Sequence, residues 1–108
     1  MVILTNKKAV CLVGKKGSED SNNGNRISFD DDVISPQHAE IKMLNVRGYN
    51  RVFIIDKDSE YGTWVNGRRI TEGEHVELKR GMILTFGEPN GILCRPLSFH
   101  LYSIFRLT

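Results

Sequence analysis

The sequence predicts an all-β chain, a sandwich or a barrel. Three observations predict it. Short apolar or alternating runs recur at roughly ten residues per strand, punctuated by Gly, Asn, Asp and Pro. No window sustains the apolar period of a helix. Asn66-Gly67 stands between Trp64-Val65 and Arg68-Arg69-Ile70, the strongest short signal for a hairpin, because a type I′ turn needs positive φ at both central residues. With 108 residues, the chain reads as a single domain over 1–108. A chain of this size buries roughly two thirds of its unfolded surface and folds without staples.

The elements follow in order. Val2–Thr5 and Ala9–Val13 are short apolar strands. Gly14 to Asn25 is long, polar and rich in turn formers, the composition of a binding loop or of a disordered connection. Arg26–Phe29 is a strand, and Asp30-Asp31-Asp32 a solvated turn. His38–Leu44 and Arg51–Asp56 are strands joined by the polar connection Asn45–Asn50, which contains Gly48. Thr63–Val65, His75–Leu78, Ile83–Phe86 and Ile92–Arg95 continue the series. Phe99–Leu107 alternates cleanly. Phe99, Leu101, Ser103, Phe105 and Leu107 share one face; His100, Tyr102, Ile104 and Arg106 share the other.

Composition removes several function classes. Hydrophobic residues make up 40% and charged residues 26%, ordinary globular values. No apolar run approaches the ~20 residues of a membrane span, and Val2-Ile3-Leu4 is too short for a signal peptide. A formal charge of +2, mixed in sign along the chain, does not imply nucleic acid. The cations Lys7, Lys8, Lys15, Lys16, Arg68, Arg69, Lys79 and Arg80 read as solvated loop charges. Cys11 and Cys94 lie in separate apolar runs and read as buried free thiols.

Most chemistry-bearing patterns fail on spacing. Gly14-Lys15-Lys16-Gly17 lacks the phosphate-loop spacing. Asp56-Lys57-Asp58-Ser59-Glu60 begins like a calcium loop, but Tyr61 stands where the sharp-turn glycine belongs and Gly67 where the closing glutamate belongs. Ser35 and His38 offer a nucleophile and a base with no assured acid partner, so no enzyme is read here. Nothing calls for a metal or cofactor.

Taken in order, four segments carry a resemblance. They are Val13-Gly14-Lys15, Ser35-Pro36-Gln37-His38-Ala39, Asp56 to Gly67 with Ser59, Gly62, Thr63, Val65 and Asn66, and Leu78 to Gly87 with Gly81. Over about 10–87 the chain resembles a forkhead-associated (FHA) domain, with outer strands at 2–5 and 92–107. The resemblance implies an antiparallel β-sandwich of about eleven strands whose loops at one end bind phosphothreonine peptides. It implies phosphopeptide contacts at Lys15, Ser35, Gln37, Glu60 and Tyr61, and loop architecture at Gly14, His38, Gly62, Thr63, Asn66 and Gly67. A phosphate with nearly two charges and three acceptor oxygens suits a cation plus hydroxyl and backbone donors.

The chain departs from the family pattern at four places. Lys15 replaces the usual Arg and loses its planar fork. Tyr61 replaces an Asn and lacks the paired donor and acceptor of an amide. Glu60 brings a carboxylate toward the phosphate, and Pro36 removes a backbone donor. Lys16, Arg26, Lys57 and Gln37 are candidate compensators. The Tyr61 pattern is similar to the FHA domain of nibrin, as is Val13-Gly14-Lys15-Lys16. That resemblance implies a role in DNA double-strand-break signalling and the chain as an N-terminal fragment or trimmed relative, since 108 residues leave no room for the tandem BRCT repeats that follow there.

The expectation is therefore a recruitment module for a phosphothreonine-containing protein, intracellular and nuclear, a subunit of a larger complex, with no small-molecule substrate and no membrane. The competing expectation is a degenerate FHA scaffold that binds protein without phosphate, for which Tyr102 and Ile104 are surface candidates.

Overall fold

The computed structural model describes residues 9–17, 25–87 and 95–98. Nine strands lie among them: β1 (Val10–Lys15), β2 (Asn25–Phe29), β3 (Ala39–Val46), β4 (Tyr49–Asp56), β5 (Thr63–Val65), β6 (Arg68–Arg69), β7 (Val76–Glu77), β8 (Ile83–Phe86) and β9 (Arg95–Ser98). No helix occurs among the described residues. One sheet runs β2-β1-β3-β4-β7 and the other β6-β5-β8-β9. The all-β expectation holds, and the core strands fall within a residue or two of their predicted bounds. Val2–Thr5, Phe99–Leu107, Cys94, Tyr102, Ile104 and most of Ile92–Arg95 lie outside the described residues.

Two features correct the sequence reading. β1 and β2 pair in parallel, with Leu12 opposite Arg26 and Gly14 opposite Ser28, so the first sheet is mixed rather than antiparallel. A parallel neighbour needs a long connection, which the stretch between Lys15 and Asn25 supplies. The connection at 45–50 is tighter than predicted. Val46 pairs with Tyr49 across a two-residue turn in which Arg47 and Gly48 have φ of 51° and 86°. That is primed-turn geometry, which matches the twist of the flanking strands. The Asn66-Gly67 turn forms as expected, with φ of 49° and 83° and Val65 opposite Arg68.

The core lies between the sheets, where alternate residues face inward. Cys11, Val13, Ile41, Met43, Val52 and Ile54 come from the first sheet, and Val65, Leu84 and Phe86 from the second. Full burial of such side chains stabilises by roughly 1.5–3 kcal/mol each. Phe86 is completely buried and joins core to loops, its ring 5.8 Å from Phe29 and 5.5 Å from His38. Cys11 is a buried free thiol, and burial pushes its pKa up to about 12.

Candidate functional site

The loops at one end are bound to one another mainly by main-chain groups. β1 delivers Gly14 under the turn after Ser35, where a Cβ would fall 2.0 Å from the Pro36 carbonyl oxygen. Only glycine permits that approach. The Lys15 amide then donates to the Ser35 carbonyl at 3.1 Å, and the Lys16 amide to Phe29 at 2.8 Å. Arg26 reaches over from β2. Its Nη2 donates to the carbonyls of Lys15 at 3.2 Å and Pro36 at 3.3 Å, and its Nε to Ser28 Oγ at 3.0 Å. The guanidinium thus ties the end of β1 to the 35–36 turn.

His38 organises the middle of the site from a fully buried position. Its amide donates to Val13 at 2.8 Å and its carbonyl accepts from Lys57 at 3.0 Å. Its Nδ1 accepts from the Ser35 amide at 3.1 Å. Its Nε2 lies 2.8 Å from the Gly62 carbonyl, which can only accept, so the proton sits on Nε2 and the ring is neutral. Burial is the largest influence on this ring and holds its pKa below the usual value of 6.5. Both ring nitrogens are engaged by the backbone, so neither faces the Ser35 hydroxyl as a base. That hydroxyl oxygen instead accepts the Glu60 amide at 3.0 Å, and its own proton is available to donate to a ligand.

A carboxylate organises the next loop. Asp56 is buried, and its Oδ1 accepts from the hydroxyls of Ser59 and Thr63, the latter at 2.7 Å. Its Oδ2 accepts the Ser59 amide at 3.2 Å. The segment that opened like a calcium loop is therefore a self-satisfied polar turn, and no cluster of metal-ligating side chains occurs among the described residues. Gly62 follows with φ of 95°, a left-handed conformation that glycine tolerates best. Its carbonyl accepts from both His38 and the Gly87 amide, the latter at 3.0 Å. Asn66 and Gly67 turn the chain at the far end of β5. Asn66 Oδ1 accepts the Ile83 amide at 2.8 Å, pinning that turn to β8.

Gly14, Lys15, Ser35, His38, Glu60 and Gly62 are thus linked by direct contacts, with Tyr61 exposed beside them. Gln37 is exposed on the turn after Ser35. Thr63 lies beneath, while Asn66 and Gly67 stand apart from the group. The Lys15 ammonium is paired at 2.9 Å with Asp32, whose side chain is 94% exposed. The hydrogen bond and charge of Asp32, with Asp30 and Asp31 beyond, raise the Lys15 pKa. Sequence reasoning missed the roles of Asp56 and Asp32 and did not place Arg26. The parallel pairing of β2 brings Arg26 to the site, and no local pattern announces it.

Comparison with known proteins agrees with this geometry. The family model described as FHA domain matches residues 11–87. Pre-mRNA leakage protein 1 of Saccharomyces cerevisiae is 36% identical over 62 residues, covering 57% of this chain and 30% of that protein. Two structures of yeast Pml1 superpose with TM-scores of 0.66 and 0.67 at 33% and 27% identity, covering 74% and 85% of this chain and 55% and 64% of theirs. The N-terminal FHA domain of S. cerevisiae Rad53p, solved in complex with a phosphothreonine peptide, superposes with a TM-score of 0.63 at 21% identity, covering 82% and 64%, and shares the fold. The chain spans under a third of the length of the curated relative and under two thirds of each of these solved chains. With 11–87 matched, and with strands and loops arranged as described, this chain belongs to the FHA-domain family.

Proposed function

We propose that the chain is a phosphothreonine-reading module, a non-enzymatic adaptor that recruits a phosphorylated protein. One observation carries the reading. The amide of Lys15 and the hydroxyl of Ser35 belong to segments hydrogen-bonded to each other, and the Glu60 amide fixes that hydroxyl oxygen. A cation and an oriented O–H donor on neighbouring segments suit a phosphate dianion. Lys15 acts as the point charge and Ser35 as the donor. Gln37, Glu60 and Tyr61 line the approach of the peptide.

The setting we infer is RNA processing in the nucleus, within a larger assembly. Yeast Pml1 is described as a splicing factor integrated into the RES complex, and its similarity to this chain supports that setting over the DNA-break signalling implied by the nibrin resemblance. The test is calorimetric titration of the wild type and Lys15→Ala with a degenerate phosphothreonine peptide pool and its unphosphorylated twin. The expected result is binding of the phosphorylated pool alone, lost in the variant. Equal binding of both pools would overturn the phosphate reading and favour a phosphate-independent scaffold.

A further inference from the structure

Beside the site stands the guanidinium of Arg69, which pairs with no carboxylate among the described residues. Arg69 is exposed on β6, paired across the ladder with Trp64. Its side chain lies back over the Gly62 backbone. A Cβ built at Gly62 would be 2.7 Å from Arg69 Nε, 3.1 Å from its Cζ and 3.0 Å from Trp64 Nε1. The glycine therefore serves two ends, its left-handed φ and a seat for the arginine. Among the described residues Arg69 makes no hydrogen bond and no ion pair. Its neighbour Arg68 is the contrast, donating to both carboxylate oxygens of Glu74 at 3.4 Å and 3.0 Å. Asp58 and Glu60 are exposed in the adjoining loop, yet neither pairs with Arg69.

The position gives this fork a target. Gly62 is bound through its carbonyl to His38, and Glu60 through its amide to Ser35, so Arg69 sits on the rim of the same loop group. A guanidinium presents five donors in a plane that matches a carboxylate. Contact with Gly62 and Trp64 restricts the side chain before a ligand arrives, which lowers the ordering cost of binding.

We propose that Arg69 forms a second anion subsite on this rim and reads a carboxylate side chain of the bound peptide. The proposal rests on the phosphothreonine reading. The test is selection from a peptide library with fixed phosphothreonine and degenerate flanking positions, using wild type, Arg69→Gln and Arg69→Glu. Folding of each is checked by the unfolding curve of Trp64 fluorescence. The wild type is expected to enrich Asp or Glu at one flanking position. Arg69→Gln is expected to keep phosphothreonine binding and lose that enrichment, with affinity for the selected peptide down about tenfold and affinity for its alanine twin unchanged. Arg69→Glu is expected to enrich Lys or Arg at that position instead. Wild type that enriches no acid, or Arg69→Gln that retains the enrichment, would overturn this proposal alone. Wild type that binds no phosphorylated peptide would overturn the phosphothreonine reading and this proposal with it.

Discussion

Replacing His38 with alanine tests whether this buried ring holds the loop end together. The ring bridges the Ser35 amide and the Gly62 carbonyl and meets Phe86 edge-on at 89°. Its removal orphans the part-buried Ser35 amide, which costs roughly 1–3 kcal/mol. The Gly62 carbonyl keeps its bond from Gly87, so it adds little. The cavity against Phe86 adds a further cost of about 1–2 kcal/mol, less than most large-to-alanine core changes because the ring is polar. The expected loss is about 3 kcal/mol, a large share of the roughly 5–15 kcal/mol of a domain. Urea unfolding followed by Trp64, the single tryptophan, measures it directly, since its indole donates to the Tyr61 carbonyl at 3.3 Å beside Gly62. A loss below about 1 kcal/mol would refute the bridging role.

The same ring sets a pH dependence. Its folded pKa lies below 6.5, because burial and an accepting Nδ1 both oppose protonation. Well above 6.5 the ring is neutral in both states and stability is at its full value. As pH falls below 6.5, the unfolded chain takes the proton first and stability declines, by up to about 1.4 kcal/mol per pH unit. His38→Ala removes this component. Parallel plots of stability against pH for wild type and variant, between about pH 7.5 and pH 5.5, would show that His38 does not carry it.

Other substitutions probe neighbouring contacts. Thr63→Val deletes the 2.7 Å bond to the Asp56 carboxylate and is expected to cost roughly 1.5–3 kcal/mol, read from the urea midpoint. Gly14→Ala drives a methyl into the Pro36 carbonyl and is expected to cost about 1–3 kcal/mol while shifting the Ser35 and Gln37 amide resonances that flank that residue; an unchanged spectrum would contradict the close approach. Asp32→Asn removes the carboxylate on Lys15 and, under the phosphate reading, is expected to raise phosphopeptide affinity a few-fold at low salt in the same calorimetric titration.

What the sequence revealed and what it hid divide along local and non-local lines. The Asn66-Gly67 turn was readable because both residues tolerate positive φ. The turn at 47–48 was not, because Arg47 takes a φ of 51° with no residue type announcing it, helped by Asn45 Oδ1 accepting the Gly48 amide at 3.0 Å. The parallel partnership of β1 and β2 was hidden, since apolar spacing says nothing of strand direction, and Arg26 was hidden with it. Arg69 was within reach. A two-residue turn at 66–67 puts residue 64 opposite residue 69, which by register alone places Arg69 beside Trp64.

The departures from the family pattern fall where the frame uses main-chain atoms. Pro36 offers its carbonyl to Arg26, Glu60 its amide to Ser35, and Tyr61 its carbonyl to Trp64. Lys15 likewise enters the frame through its amide and carbonyl. At none of these four residues does the named bond to the frame use the residue's own side chain, so the residue there can change while the loops keep their course. Gly14, His38, Asp56 and Thr63 are the reverse case, because a missing Cβ or a buried polar group forms the contact. The course of the loops and the chemistry they present are therefore separable. Under the phosphate reading, Lys15→Ala and Glu60→Ala are expected to alter phosphopeptide affinity, and both are expected to leave the urea midpoint nearly unchanged. A midpoint that falls in either as far as in Thr63→Val would show that these side chains hold the frame after all.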